Sequence, residues 1–273
     1  MDKYAVFGNP IAQSKSPQIH MLFASQTQQA MHYGKQLVEL GEFSAAAKTF
    51  FEGGGLGLNV TAPFKEDAFA YADMLTKRAE MAGAVNTLLK QKDGTILGDN
   101  TDGAGLVSDI CQRLQWVLQN RRVLVLGAGG AVRGVLLPLL DQLPDTLVVA
   151  NRTLHKAETL VARFDAPSVL RAISFEALAN EAPFNVVINA TSAGLSGSIP
   201  AIGNECLTDA TCVYDMVYGS EPTAFLRWAA EQGVTEYADG LGMLVGQAAE
   251  SFELWRQKRP EVQAVIEELR QPN

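Results

Sequence analysis

The amino-acid sequence predicts two α/β domains, the second built on a doubly wound parallel sheet. Three observations carry that expectation. The chain has 273 residues, long for one compact domain, and length alone points to about two. Short β-branched or aromatic runs alternate with helical stretches from the outset. A fully apolar run, Val123–Leu126, leads straight into glycines and then a helical stretch, as expected of a strand buried inside a parallel sheet. With 47% hydrophobic and 19% charged residues, the chain has ample material for packed cores and no signature of disorder.

Taken in order, strands are expected at Tyr4–Phe7, Gln36–Leu40 and Leu56–Val60, with helices at Pro17–Gln28 and Phe43–Glu52 between them. A strand at Ala84–Leu89 follows, then an amphipathic helix over Asp102–Leu114. The second sheet starts at Val123–Leu126 and continues through Leu147–Ala150, Val186–Asn189 and Val213–Asp215, with intervening helices such as Leu154–Phe164 and Thr223–Glu231. Between Gly240 and Arg256, the positions Leu241, Leu244, Val245, Ala248, Phe252 and Trp255 form one helical stripe that must be buried. No low-complexity linker or fixed-period repeat intervenes, so the domain boundary is expected in a helix or tight turn near residues 100–104.

Composition narrows the function. Lys plus Arg number 22 against 30 for Asp plus Glu, a net charge of -8, which repels nucleic-acid backbones and anionic lipid. The apolar stretch at Tyr4–Phe7 is too short for a secretory core. The longest apolar run, Val123–Val132, falls well short of the roughly 20 residues of a spanning helix. A cytoplasmic protein without nucleic-acid or membrane partners is expected. Cys111, Cys206 and Cys212 are widely spaced and read as reduced thiols. His20, His32 and His155 lie far apart without a ligand cluster, so they read as structural and no metal site is expected.

Gly127-Ala128-Gly129-Gly130-Ala131 joins the strand at Val123–Leu126 to a helix expected over Val132–Leu140. Strand, glycine turn and helix in that order suit a dinucleotide: bare backbone approaches the pyrophosphate, and the helix presents unpaired N–H groups to it. The second domain is therefore read as Rossmann-type. Val132 stands where a third glycine is usual, with Gly134 close by. The next strand ends at Ala150 and is followed by Asn151, Arg152 and Thr153, with Lys156 one turn on. NAD-specific folds place an acid here for the ribose hydroxyl. Arg152 instead offers a guanidinium fork for a 2′-phosphate, and Asn151, Thr153 and Lys156 add donors, which favours NADP.

In the first domain, Ser14-Lys15-Ser16-Pro17 precedes a helix. Pro17 suits the first helical position and Ser16 the cap, yet Ser14 and Ser16 at that positive helix end can also hold a carboxylate. Leu58–Thr61 leads to a helix expected to start at Pro63, with Lys65 in its first turn. The dipole there should lower the lysine pKa, as a proton acceptor requires. Gly98-Asp99-Asn100-Thr101-Asp102-Gly103 opens another helix, and its polar residues can serve as cap or as site. A carboxylate beside Lys65 would oppose the dipole effect, and the residues do not decide between the two.

Asn59-Val60-Thr61-Ala62-Pro63-Phe64-Lys65, Ala84-Val85-Asn86-Thr87 and Gly98–Gly103 resemble the signature segments of shikimate dehydrogenases. The similarity continues through Gly127–Ala131, Asn151-Arg152-Thr153, Asn189–Gly194, Asp215-Met216-Val217-Tyr218 and Gly240–Gln247, in the family's order and over essentially the whole chain. The resemblance implies reversible, NADP-dependent reduction of 3-dehydroshikimate to shikimate on the route to chorismate and the aromatic amino acids, by a monomer or homodimer. It further implies that Ser14 and Ser16 hold the substrate carboxylate, that Thr61, Asn86, Gln247 and Tyr218 position the ring, and that Lys65 and Asp102 handle its hydroxyls. Met216 and Gly240 are implied near the nicotinamide. By the same resemblance the substrate domain comprises residues 1–103 with 241–273 and the NADP domain residues 104–240. The rivals are a quinate/shikimate paralogue and, more remotely, a non-catalytic NADP sensor.

Overall fold

The computed structural model describes Met1–Gln271, with Leu195 and Ser196 given by their backbone alone. The chain forms two compact units, Met1–Gly105 with the residues from Leu244 onward, and Leu106–Met243.

The first unit is a six-stranded mixed sheet in the order β2-β1-β3-β5-β6-β4. Its elements are β1 (Asp2–Gly8), α1 (Ser16–Thr27), β2 (Met31–Leu37), α2 (Phe43–Glu52), β3 (Gly55–Val60), α3 (Lys65–Tyr71), β4 (Met74–Leu75), α4 (Lys77–Ala82), β5 (Thr87–Lys90), β6 (Ile96–Asp99) and α5 (Asp102–Val107). Strands β1, β2 and β3 run parallel, and β5 runs antiparallel to both β3 and β6. Side chains alternate across a strand, which assigns the two faces. Phe7, Leu58, Val60 and Leu88 pack with Phe43, Ala47 and Phe51 of α2, spaced four apart on one helical face. The residue between Leu58 and Val60 is Asn59, which points to the opposite face, toward His20 of α1, Tyr33 of β2 and Ser251.

The second unit is a six-stranded, all-parallel sheet in the order β12-β11-β10-β7-β8-β9. Its elements are β7 (Arg122–Leu126), α6 (Gly130–Arg133), α7 (Leu136–Leu140), β8 (Thr146–Asn151), α8 (Leu154–Val161), β9 (Leu170–Ser174), β10 (Val186–Asn189), β11 (Cys212–Asp215), α9 (Ala224–Glu231) and β12 (Glu236–Asp239). This is the doubly wound arrangement, whose direction of winding reverses between β7 and β10. Its core joins Leu124, Leu126, Val148, Ala150, Val187 and Val213 to Phe184, Phe225 and Leu226. The chain closes with α10 (Leu241–Arg256) and α11 (Gln263–Arg270). No described helix is long and apolar enough to cross a membrane.

Several expected elements are displaced, each for a physical reason. The strand expected at Gln36–Leu40 lies at Met31–Leu37, because β2 is an edge strand whose buried residues are Met31 and Tyr33 while Lys35, Gln36 and Leu37 are exposed. The helix expected over Val132–Leu140 is broken into α6 and α7. Pro138 has no N–H to return to the carbonyl of Gly134, and its ring crowds that carbonyl, so the chain turns at Gly134 and Val135. The helix expected from Pro63 starts at Lys65, since residues 62–64 form a turn closed by Phe64 N donating to Thr61 O at 3.1 Å. The strand expected at Ala84–Leu89 begins at Thr87, the helix expected to reach Phe164 ends at Val161, and the one expected over Asp102–Leu114 continues beyond α5 as a π-helical stretch, Ser108–Arg113.

Candidate active site

In the first unit, loops from one end of the sheet converge. Ser14 and Ser16 follow β1, Thr61 and Lys65 follow β3, Asn86 immediately precedes β5, and Asp102 follows β6. Lys65 Nζ donates to Asp102 Oδ2 at 2.6 Å. Asn86 Nδ2 donates to the other oxygen, Asp102 Oδ1, at 2.8 Å and also faces Gln247 Oε1 at 3.3 Å. Four sequence-predicted residues, Lys65, Asn86, Asp102 and Gln247, are thus brought into one hydrogen-bonded group. The Lys65 ammonium meets a carboxylate directly, and Glu66 and Asp67 share its helical turn, so the dipole of a seven-residue helix is not its dominant electrostatic partner.

The structure does not join Thr61 to this group by a hydrogen bond among the described residues: its N–H donates to Phe7 O at 2.9 Å, and its methyl fills the space next to Gly8, where a Cβ would come within 2.4 Å. Ser16 is the first residue of α1 rather than its cap; Lys15 occupies the cap and makes no side-chain capping bond. Ser14 Oγ accepts from Ser16 N at 3.3 Å, while the Ser16 hydroxyl lies beside the buried Tyr33 hydroxyl.

The turn carrying Asp102 is braced from below. Burial pushes the Asp99 carboxyl up, but the Arg78 guanidinium, with Nε at 2.7 Å and Nη2 at 2.6 Å, more than offsets it and holds the group below its ordinary range. Thr76 Oγ1 and Asn100 N add donors to Asp99 at 2.6 and 2.8 Å. Gln247 is held close by a helix approach that tolerates no side chain: a Cβ on Gly105 would lie 2.4 Å from Gln247 N.

In the second unit the predicted dinucleotide residues line the carboxyl edge of the parallel sheet. Gly127 follows β7 with φ +109°, and a Cβ there would press on Ala190 O at 3.2 Å, so glycine is required. Gly129 and Gly130 have open space where a Cβ would be, leaving bare backbone at the start of α6, with Ala128 and Ala131 on either side. Asn151 ends β8, and its amide donates to Thr153 O at 2.8 Å, turning the loop that carries Arg152. Arg152, Thr153 and Lys156 are exposed, and neither cation has a carboxylate partner among the described residues. These groups fit a dinucleotide carrying a 2′-phosphate: uncovered amides for the pyrophosphate, unpaired cations for the extra charge.

At the same edge, Met216 and Gly240 meet through their backbones, a Cβ on Gly240 lying 2.1 Å from Met216 O. The fully buried Asn189 and Asp215 pin the adjoining loops. Asn189 Oδ1 accepts from Thr191 N and Oγ1, Asn189 Nδ2 donates to Asp215 Oδ1 at 3.1 Å, and Val217 N donates to that same oxygen at 3.1 Å. Burial raises the Asp215 carboxyl above its ordinary range against these donors. Tyr218 follows β11, half-buried, its hydroxyl pushed up by burial and by the Asp239 charge.

Among known families, residues 6–88 match the shikimate dehydrogenase substrate binding domain, residues 109–202 the shikimate / quinate 5-dehydrogenase family, and residues 240–270 the shikimate 5′-dehydrogenase C-terminal domain. A shikimate dehydrogenase (NADP(+)) from Saccharophagus degradans is 55% identical over 276 residues, covering 99% of each chain. The chain belongs to the shikimate dehydrogenase family. Among solved structures similar to this family member, an Ael1 enzyme from Pseudomonas putida has a TM-score of 0.95 at 47% identity, covering 100% of this chain and 99% of that one. A shikimate 5-dehydrogenase from Thermus thermophilus, solved in complex with NADP(H) and shikimate, has a TM-score of 0.87 at 32% identity, covering 98% of each chain.

Sequence reasoning picked out Lys65 and Asp102 but not the groups behind them. Thr87, Thr101, Ser251 and His20 all join the buried polar cluster at Asn86 and Asn59. Thr87 and Thr101 stood inside the quoted segments, so the signal was present; Ser251 and His20 sit on amphipathic helices, where a single polar residue on the buried face was the available clue.

Proposed function

We propose that this chain catalyses the reversible, NADP-dependent reduction of 3-dehydroshikimate to shikimate. The observation that carries this reading is the 2.6 Å Lys65–Asp102 pair, steadied by Asn86, in a chain 55% identical to an NADP-dependent shikimate dehydrogenase. NADPH, when bound, supplies the hydride taken up by the ring carbonyl carbon. The bare backbone at Gly127–Ala131 would hold its pyrophosphate, Arg152 would pair with the 2′-phosphate aided by Asn151, Thr153 and Lys156, and Met216 and Gly240 would serve the nicotinamide end.

Ser14 and Ser16 hold the substrate carboxylate, while Thr61, Asn86, Gln247 and Tyr218 position the ring. Lys65 Nζ delivers a proton to the developing alkoxide and in the reverse direction accepts the hydroxyl proton. Asp102 orients that hydroxyl and keeps the ammonium in place. The enzyme works in the cytoplasm.

Turnover of shikimate and of quinate, each with NADP⁺ and with NAD⁺, tests the assignment. Shikimate with NADP⁺ is expected to be the preferred pair. Preference for quinate would reassign the substrate to a paralogue of broader range, and tight binding of both ligands without turnover would make the chain a sensor.

A further inference from the structure

Beneath Asn86 lies a buried chain of polar groups whose hydrogen-bond directions can be solved. Asn86 is fixed first: its Oδ1 accepts from Thr101 N at 2.9 Å and its Nδ2 faces the Asp102 carboxylate, so the amide has one permitted orientation. Thr87 Oγ1 lies 2.9 Å from Asn86 Oδ1, an acceptor only, and therefore spends its single proton there. Ser251 Oγ, 2.7 Å from Thr87 Oγ1, then supplies the proton of that contact, with Gln247 O as its second, longer acceptor at 3.1 Å. Asn59 is fixed independently, because its Nδ2 faces the Asn86 backbone carbonyl at 3.2 Å, and that same Nδ2 reaches Ser251 Oγ at 3.0 Å and Thr87 Oγ1 at 3.1 Å. Asn59 Oδ1 in turn accepts from Tyr33 Oη at 2.7 Å and from His20 Nε2 at 3.1 Å.

The donors of this chain point one way, from His20 and Tyr33 to Asn59, from Asn59 to Thr87 both directly and through Ser251, and from Thr87 through Asn86 to the Asp102 carboxylate. Hydrogen bonds aligned head to tail polarise one another in a low-dielectric interior. His20, Asn59, Thr87 and Ser251 are all buried, so water cannot substitute for a missing link. The Asn59 Oδ1 acceptor puts the His20 proton on Nε2, leaving Nδ1 buried without a hydrogen-bond partner among the described residues, and burial outweighs the Asn59 bond to pull the imidazole down to about 3. It is thus a neutral donor at working pH.

We propose that Ser251 and Thr87 are positioning residues for the Lys65–Asp102 pair, their hydroxyls relaying a one-way hydrogen-bond chain that aims the Asn86 amide at Asp102. The proposal rests on the catalytic reading of that pair given above. It also gives a helix at the far end of the sequence a role beneath the site: α10 brings a hydroxyl that joins Asn59 to Thr87 by a second route, beside their direct contact at 3.1 Å.

The test compares Thr87→Val, Thr87→Ser and Ser251→Ala in the full chain by steady-state kinetics with shikimate and NADP⁺ and by crystal structures of each. Thr87→Val keeps the side-chain shape and deletes the link, and is expected to lower kcat about tenfold, the scale of one well-placed hydrogen bond, with KM for NADP⁺ unchanged. Thr87→Ser restores the hydroxyl and is expected to recover kcat to within about twofold. Should Thr87→Val fail to fold, Ser251→Ala, which removes a single atom, is expected to slow turnover in the same direction. Wild-type kcat in Thr87→Val or in Ser251→Ala, or a Thr87→Ser enzyme as slow as Thr87→Val, overturns the proposal. If the wild-type chain does not oxidise shikimate at all, the functional reading fails, and the crystal structures still decide the network: an Asn86 amide that stays hydrogen-bonded to Asp102 in Thr87→Val and in Ser251→Ala overturns it regardless of activity.

Discussion

Replacing Lys65 by Met removes the ammonium while keeping an unbranched side chain of similar length, so packing at the start of α3 is preserved. Two costs follow, of different size. The ion pair is partly exposed, with 27% and 12% of the two side chains accessible, and Asp102 retains its bond from Asn86 at 2.8 Å. Stability should therefore fall by only about 1 kcal/mol, a few degrees in Tm. Loss of a positioned general acid–base group lowers turnover by about 10²–10⁴-fold, equivalent to roughly 2.7–5.4 kcal/mol in the barrier. The barrier term dominates, and a folded but nearly inactive enzyme is expected. NADPH absorbance during shikimate oxidation reads kcat, calorimetric titration reads NADP⁺ binding, and thermal melting reads stability. Turnover near that of the wild type would refute the assignment of Lys65; a parallel collapse of NADP⁺ affinity would show that the loss arose elsewhere.

Two further outcomes are expected. Arg152→Ala should raise KM for NADP⁺ by about 10–100-fold, the contribution of charge-assisted hydrogen bonds to a phosphate, while leaving KM for NAD⁺ nearly unchanged; an unaltered NADP⁺/NAD⁺ ratio would remove Arg152 from cofactor recognition. His20, whose imidazole is depressed from 6.5 to about 3 in the folded state, contributes stability that is complete above pH 6.5 and is lost as pH falls toward 3, at about 1.4 kcal/mol per pH unit. Denaturant melts of the wild type and His20→Phe at pH 7 and pH 5 should narrow in favour of the variant by about 2 kcal/mol, and parallel pH profiles would show that His20 is not the group responsible.

How much of this was legible in the sequence depended on how completely each element is buried. Val123–Leu126 and Val186–Ile188 lie in the middle of a parallel sheet and read as uninterrupted apolar runs. Glu236–Asp239 and Met74–Leu75 are edge strands with exposed residues, and their composition carried no strand signal. The break between α6 and α7 was readable in principle from Pro138, but the apolar periodicity of Val132–Leu140 outweighed it. At the candidate site, short motifs pointed to Lys65, Asn86 and Asp102 because each lies beside a strand end. Ser251 is 164 residues from Thr87, and no local pattern encodes a partnership at that separation; only the sheet faces, with Asn59 turned away from Leu58 and Val60, bring the two together.

The contribution of α10 to the first unit bears on how the protein is made. Phe252 and Trp255 complete the aromatic cluster around His20, Trp255 Nε1 donates to Leu88 O at 3.0 Å, and Glu250 pairs with Arg78. A nascent chain that has emerged only as far as β12 holds every strand of both sheets, yet leaves the floor of its first sheet uncovered. That lobe reaches its finished form late in translation, after the residues beyond Leu244 have cleared the ribosome.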